Sequence, residues 1–173
     1  AFFNLYKKLY TLQMRHKFIR LDGYLDPRVD VRNAQFINIG KTIIRPYTFI
    51  YAITGDNTGK NKFKPYIEIQ DGCDIGRFCH ITCTNKVIIE KNVLFGEGIF
   101  IADNIHGYED INTPIKDQTQ ISSGPLIIGE GTWIGNGAIV IGKVKVGKNC
   151  VIGANTFLNN DVPDYSVVAG VPA

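Results

Sequence analysis

Residues 128–163 divide into six consecutive hexads: IGEGTW, IGNGAI, VIGKVK, VGKNCV, IGANTF and LNNDVP. Each hexad begins with an aliphatic residue, and its fifth position is small or β-branched. A period of six fits a short strand followed by a sharp corner, where the frequent glycine tolerates a positive φ. Three hexads would close a triangular turn, and stacked turns would pair strand on strand about 4.8 Å apart. The pattern predicts an all-β solenoid of parallel strands with the aliphatic residues inside.

The same frame continues upstream of these hexads. Aliphatic residues six apart occur at Ile69, Ile75, Ile81 and Val87, and after a two-residue slip the frame resumes at Ile89. It vanishes at 54–66 and at 102–125, and long irregular segments of compact domains are usually functional. We therefore expect two protruding loops on the solenoid.

The domain boundaries follow from the extent of this pattern. We assign residues 29–173 to the solenoid and residues 1–28 to an N-terminal helical cap segment. Phe2, Leu5, Leu9 and Leu12 have helical spacing and would cover one end of the coil. A second interpretation is a peripheral membrane contact, favoured by aromatic residues and by basic residues such as Lys8 and Arg15.

Composition limits the function classes. The chain has 173 residues, 45% hydrophobic and 20% charged, with a net charge of +3. This suits one compact domain and argues against a partner such as nucleic acid held by bulk charge. No 18-residue apolar run or secretory signal pattern occurs, so the expected location is cytoplasmic, either free or peripheral to the inner membrane face.

The four cysteines do not have the spacing of a zinc site. Cys73, Cys79 and Cys150 occupy the small interior position of their hexads, where a thiol behaves as a compact hydrophobic group. No metal is expected. Only three histidines occur, without a closely spaced pair, which argues against a trimeric β-helical carbonic anhydrase.

Three segments together resemble a known family: DNIHGYEDINTPIKDQ (103–118), GPLIIGEGTWIG (124–135) and VIGANTFLNNDVPDYSVVAGVPA (151–173). They are similar to the hexapeptide-repeat acyltransferases, in the branch of galactoside, maltose and polysaccharide O-acetyltransferases. The resemblance covers about residues 67–173. It implies a left-handed β-helix, acetyl-CoA as co-substrate, a homotrimer with sites between subunits, and the loop histidine, His106, as general base.

The resemblance also assigns coenzyme A contacts. Trp133 matches a residue beside the pantetheine arm, and the wall positions that match are Gly135, Asn136 and Ala154. Asn159 and Asn160 stand where relatives carry Thr-Lys, so Asn159 falls beside the cofactor without the expected cation.

Acetyl transfer to a hydroxyl requires a base, and an imidazole oriented by a carboxylate suits this task at neutral pH. Asp103 is the first candidate for that carboxylate and Glu109 the second. His80, Asn85 and Tyr108 are candidate contacts to the acceptor, and the alternative for each is an ordinary polar residue that faces solvent.

The leading functional interpretation is direct transfer of an acetyl group from acetyl-CoA to a saccharide hydroxyl in a ternary complex, without an acyl-enzyme. The alternatives are N-acetylation of a nucleotide-linked amino sugar and a non-catalytic solenoid scaffold. A scaffold of the ice-binding type would show outward rows of threonine, whereas Thr132 and Thr156 occupy the inward small position.

Overall fold

The computed structural model describes residues 2–173, with side chains from Leu5 onward. The side chain of Phe2, which belongs to the predicted helical stripe, lies outside the described part. A helix, α1 (Phe2–Met14), and a 3-10 turn (Arg15–Lys17) precede a coil of short strands. The predicted short N-terminal helix and parallel solenoid are both present.

The coil has three faces, each a six-stranded parallel sheet, which we name after one outward residue. The Glu68 face consists of β1 (Arg20–Leu21), β3 (Ile37–Ile39), β6 (Tyr66–Ile69), β9 (Lys86–Ile89), β14 (Leu126–Ile128) and β17 (Lys145–Val146). The Trp133 face consists of β4 (Ile43–Ile44), β7 (Asp74–Ile75), β10 (Leu94–Phe95), β15 (Trp133–Ile134), β18 (Val151–Ile152) and β20 (Val167–Val168). The His80 face consists of β2 (Asp30–Arg32), β5 (Phe49–Ala52), β8 (His80–Cys83), β11 (Phe100–Ala102), β16 (Ile139–Ile141) and β19 (Phe157–Leu158).

Strand register shows where the coil departs from its regular turn. Ile128 pairs with Val146, so the regular turn spans three hexads, as the sequence predicts. Ile50 pairs with Ile81, so this turn is longer than three hexads by the whole of the 54–66 excursion. The excursion after β11 contains a hairpin of β12 (Asn104–His106) and β13 (Gln120–Ser122), and a 3-10 turn at Ile115–Asp117. A further 3-10 turn occupies Ala34–Phe36.

The three insertions into the regular turn lie at one corner of the triangle. Ala52 pairs with Cys83, and Thr82 pairs with Ala102, so the chain leaves the coil at equivalent places after β5, β8 and β11. The first and third departures are the two predicted excursions. The second is the slip in the hexad frame, because Ile69 pairs with Ile89 and not with Val87, which lies three hexads on.

The core is a stack of inward aliphatic side chains. Ile39, Ile69, Ile89 and Ile128 are fully buried at equivalent positions of successive turns. All four cysteines are free and buried, and burial raises the pKa of the Cys73 and Cys79 thiols to about 11. These thiols therefore pack as apolar groups, in agreement with their place in the hexads.

The coil begins earlier than residue 29, the boundary assigned from the sequence. Strand β1 at Arg20–Leu21 already pairs with β3, and Leu21 and Leu25 are buried in the same core. The hexad pattern is weak here because Asp22, Gly23 and Asp26 break the aliphatic spacing. The helical segment thus ends at Lys17.

Helix α1 is fixed to this first turn by polar contacts. The Thr11 hydroxyl accepts a hydrogen bond from the Leu25 amide at 2.9 Å. The Lys7 ammonium lies 2.9 Å from the buried carboxylate of Asp26. Within residues 2–173, no helix combines the length and apolar character that crossing a membrane requires.

Candidate active site

His106 is the last residue of β12, on the hairpin that leaves the His80 face directly after β11. It pairs across the hairpin with Gln120. The side chain of His106 is exposed, and it forms no hydrogen bond with any residue from 2 to 173. Both ring nitrogens are therefore accessible to a ligand or a neighbouring chain.

A polar cavity of about 350 Å³ opens beside His106. Its walls come from the first full turn of the coil, from the 54–66 excursion and from the hairpin. The lining residues are Arg32, Asn33, Tyr51, Ala52, Ile53, Thr54, Gly55, Asp56, Asn57, His106, Gln118 and Gln120. Hydroxyl, amide and charged groups thus surround the imidazole, with one aromatic ring among them.

Hydrogen bonds hold the two excursions together around this cavity. The Asp56 carboxylate accepts a hydrogen bond from the Gln120 amide at 3.3 Å and from the Thr58 hydroxyl at 2.7 Å. The Asn61 side chain donates to the Gln120 carbonyl at 3.2 Å. These contacts lower the pKa of the Asp56 carboxyl, the Thr58 hydroxyl being the largest cause. The 54–66 excursion is therefore a wall of the site rather than a separate feature.

Sequence reasoning did not select the cavity residues from 32 to 57. They are distant in sequence from His106, and residues 1–66 resemble no family motif. A signal was nevertheless present in the hexad count, because both excursions interrupt the frame at the same corner of the turn. Loops that leave adjacent coils at one corner must be neighbours.

His80 and His106 border the same groove, a second cavity of about 430 Å³ with more apolar walls. His80 packs between aromatic rings, with centroids 5.4 Å from Tyr51 and 5.4 Å from Phe100. Burial lowers its pKa, and its Nε2 atom is buried with no hydrogen-bond partner in the described chain. A half-buried ring whose pKa is lowered suits the wall of a pocket better than a second base.

Asp103 does not contact His106. Its carboxylate is fully buried and accepts from the backbone amides of Thr84, Asn85 and Lys86 at 2.7–2.8 Å. The Asn104 side chain donates to it as well. In the single chain, the expectation that Asp103 orients the imidazole is therefore wrong. Both of its carboxylate oxygens accept hydrogen bonds from the backbone of the corner at 84–86, where the turn is two residues longer than three hexads.

Most of the other residues predicted to contact His106 or the acceptor lie outside the cavities beside His106. Glu109 and Tyr108 are exposed on the hairpin and do not line either cavity beside His106. Asn85 contributes its amide to Asp103, and its side chain is exposed outside these cavities. The single chain thus brings only His80 to the groove of His106 among the three predicted acceptor contacts.

The residues expected to hold coenzyme A lie elsewhere, mainly on and beside the Trp133 face. Trp133 is 49% exposed, and Asn136 and Ala154 are exposed nearby along the chain. Gly135 is buried against the next turn, where a Cβ would meet the Ala154 backbone. Asn159 is exposed after β19 and accepts from the Asn160 side chain.

The Trp133 face fits an extended, largely apolar chain. Leu94, Trp133 and Val151 are in register and point outward, which gives an apolar strip along the coil axis. None of the cavities beside His106 includes a residue of this strip. Within one described chain, His106 and the expected thioester wall therefore lie on different faces.

Comparisons with known proteins agree with this architecture. The family described as bacterial transferase hexapeptide (six repeats) matches residues 125–160. A probable acetyltransferase of Mycobacterium tuberculosis is 34% identical over 119 residues, which is 69% of this chain and 39% of that protein. The galactoside O-acetyltransferase of Escherichia coli is 27% identical over 127 residues, which is 71% of this chain and 62% of that protein.

A second Escherichia coli protein, named for O-acetyl transfer in lipopolysaccharide biosynthesis, is 27% identical over 149 residues. The alignment covers 83% of this chain and 72% of that protein. The chain spans less than two thirds of the length of the first two relatives described above. The fold and these matches define a hexapeptide-repeat protein. Over the matched residues, the chain is similar to the hexapeptide-repeat acyltransferases.

Solved structures show the same fold. The N-acyltransferase AntD of Bacillus cereus, in complex with dTDP and 3-hydroxybutyryl-CoA, has a TM-score of 0.73 at 13% identity and covers 93% of this chain and 83% of its own. A hexapeptide-repeat acetyltransferase of Vibrio cholerae complexed with acetyl coenzyme A has a TM-score of 0.53 at 23% identity and covers 95% and 73%. The left-handed β-helix predicted from the sequence is confirmed.

Proposed function

We propose that this protein transfers an acetyl group from acetyl-CoA to a hydroxyl group of a saccharide. The observation that carries the proposal is the position of His106, an unpaired, exposed imidazole on the rim of a cavity lined with hydroxyl, amide and charged groups. Such a lining offers alternating donors and acceptors to sugar hydroxyls, and the Tyr51 ring offers an apolar surface to a sugar face. Family relatives named as O-acetyltransferases of galactosides support the same acceptor class.

His106 would act as the general base. Acetyl-CoA supplies an activated acyl group, because a thiolate leaves readily. The acceptor hydroxyl is a poor nucleophile, so the reaction needs a residue that removes its proton as it attacks. His106 meets the geometric condition for this role because neither of its ring nitrogens is occupied by another described residue. Direct attack in a ternary complex then needs no nucleophilic side chain.

A homotrimer would complete the site. The outward residues of the His80 face include Phe49, Phe100, Ile139 and Phe157, which are all partly exposed in the single chain. A face with this much apolar surface favours burial against another subunit. Association would place the Trp133 strip of one subunit beside the His106 groove of the next. It would also offer His106 an orienting group, which no described residue of the single chain provides.

The alternative acceptor is the amino group of a nucleotide-linked sugar. AntD, an N-acyltransferase solved with dTDP-4-amino-4,6-dideoxyglucose and coenzyme A, supports it at the level of fold. We favour the hydroxyl acceptor because the more similar relatives are named O-acetyltransferases. The four free, buried cysteines fit the reducing cytoplasm, which we propose as the location.

The test is release of free thiol from acetyl-CoA with matched panels of neutral sugars and amino sugars. We expect turnover with hydroxyl acceptors and a loss of about 100- to 10,000-fold in kcat for His106→Ala. His16→Ala, at an exposed histidine of the N-terminal turn, is the matched control and should keep full activity. Full activity of His106→Ala would refute the base, and turnover restricted to amino sugars would establish the alternative. Absence of turnover with either panel would favour the scaffold interpretation.

A further inference from the structure

Helix α1 presents its leucines to solvent. Leu5, Leu9 and Leu12 are 55%, 57% and 61% exposed, and Tyr6 is also half exposed. The residues that face the coil are Lys7, Tyr10, Thr11 and Met14, of which Thr11 is fully buried. The arrangement reverses the amphipathic pattern expected of a capping helix, in which the leucines would cover the coil end.

The two sets of residues lie on opposite sides of the helix. At about 100° per residue, Leu5, Leu9 and Leu12 fall within roughly 60° of one another. The sector that contains Thr11 and Met14 is centred on the far side. The leucines therefore form one continuous stripe, which we call the leucine face.

The helix cannot roll to bury this stripe without losing buried polar contacts. The Thr11 hydroxyl accepts a hydrogen bond from the Leu25 amide at 2.9 Å and donates to the Lys7 carbonyl of its own helix at 2.8 Å. The Asp26 carboxylate, only 3% exposed, would lose the Lys7 ammonium. Breaking bonds to buried groups is costly, so the outward orientation is held by the fold.

The charges beside the leucine face have one sign. Residues 1–21 contain no aspartate or glutamate. Lys8, Arg15 and Lys17 are exposed and form no ion pair with any residue from 2 to 173. A leucine stripe bordered by cations is complementary to a bilayer surface that carries anionic headgroups.

We propose that the leucine face binds the surface of an anionic phospholipid bilayer, with the leucines in the interfacial region and Lys8, Arg15 and Lys17 among the headgroups. A second copy is the less suitable occupant, because two such faces brought together would juxtapose like charges. The inference is independent of acetyl transfer and concerns where the protein is held.

Vesicle co-sedimentation tests the proposal. One set of vesicles contains phosphatidylcholine alone, and the other contains phosphatidylcholine with one third phosphatidylglycerol. We expect binding to the anionic vesicles at low salt, a loss of at least about tenfold in affinity at 0.5 M salt, and little binding to the neutral set. The triple variant Leu5→Gln, Leu9→Gln, Leu12→Gln should lose about tenfold or more. The variant Lys8→Gln, Arg15→Gln, Lys17→Gln should bind both vesicle sets equally weakly.

The matched control is Val167→Gln with Val171→Gln, which removes exposed apolar residues near the C-terminal end of the coil. It should bind as the unmodified protein does. All variants replace exposed side chains, so their unfolding midpoints should be unchanged. Failure of the unmodified protein to bind anionic vesicles, or equal binding by the leucine variant, would overturn the proposal. An oligomer that dissociates in the leucine variant, without vesicle binding, would assign the face to a second copy and would also overturn it. Thiol release in solution reports on the catalytic proposal separately.

Discussion

Asp103 illustrates how burial changes the role of a carboxylate near the histidine that we propose as the base. Close to His106 in sequence, it was expected to orient the imidazole, yet its oxygens are used at the corner where the hexad frame slips. The two-residue slip in the hexad frame and the buried Asp103 carboxylate therefore belong to the same corner of the coil. Each extra amide at that corner needs an acceptor, and Asp103 supplies it.

Replacement of Asp103 should therefore affect stability directly. In Asp103→Asn, an amide NH₂ would face backbone donors of residues 84–86, and we expect a loss of roughly 2–4 kcal/mol in the free energy of unfolding by urea titration. Glu109→Gln, at an exposed position of the same hairpin, should change it by less than about 0.5 kcal/mol. Equal stability of Asp103→Asn and the unmodified protein would contradict this account.

His80 predicts a pH dependence of stability. Its pKa is lowered by burial in the folded chain, so the unfolded chain takes up the proton first as pH falls below about 6.5. Stability should therefore fall between pH 7.5 and 5.5, and His80→Phe should reduce that fall. The measurement is the unfolding midpoint at the two pH values. His16→Gln, at an exposed histidine, should keep the unmodified slope, and an unchanged slope in His80→Phe would disprove the assignment.

At the scale of the strand and corner, close contact between turns limits which residues the corners accept. A Cβ on Gly76 would collide with the Gly96 carbonyl of the next turn. We expect Gly76→Ala to lower the free energy of unfolding by about 1–3 kcal/mol, measured by denaturant titration.

The control for that substitution is Gly98→Asn. Gly98 has a φ of 68° and open space around its Cα. The equivalent corner two turns on is Asn155, with a φ of 54°, and asparagine tolerates this region. The control should cost less than about 1 kcal/mol. A greater loss in Gly98→Asn than in Gly76→Ala would show that backbone conformation, not contact between turns, sets the constraint.

The strands and their faces could be predicted from the sequence because each turn repeats one physical requirement. An inward aliphatic residue such as Ile134 or Val140 recurs at every hexad, and its burial needs no information from distant sequence. Helix α1 could be predicted as a helix but not oriented. Its docking depends on Thr11 and Asp26, two polar contacts that no hydrophobic period reveals.

At the scale of the whole molecule, the site was predictable only in part. His106 could be selected as a candidate because its loop interrupts a regular pattern and resembles a family motif. The cavity around it combines the 54–66 excursion with Arg32 and Tyr51, which become neighbours only through the stacking of turns. The residues expected to hold the thioester, around Trp133, lie on another face, so the sequence of one chain could not join the two.

Association is therefore expected to be required for activity. Ile139→Glu with Phe157→Glu places charges on the partly exposed apolar part of the His80 face. We expect the mass in solution to fall from three times 19.3 kDa to that of one chain, with a loss of acetyl transfer of about 100-fold or more. Light scattering and thiol release are the measurements. Ile127→Glu, on the Glu68 face, is the control and should remain a trimer, and full activity of the dissociated variant would contradict a site shared between subunits.

The single corner at which the chain leaves the coil has a consequence for how such proteins diversify. Residues added at that corner lengthen a loop without shifting the register of the strands above and below it. Insertions can accumulate there at small thermodynamic cost, since loop closure entropy rises only slowly with length. A change of substrate preference could thus arise when the loops at this one corner become longer or shorter, while the three sheets of the coil stay unchanged.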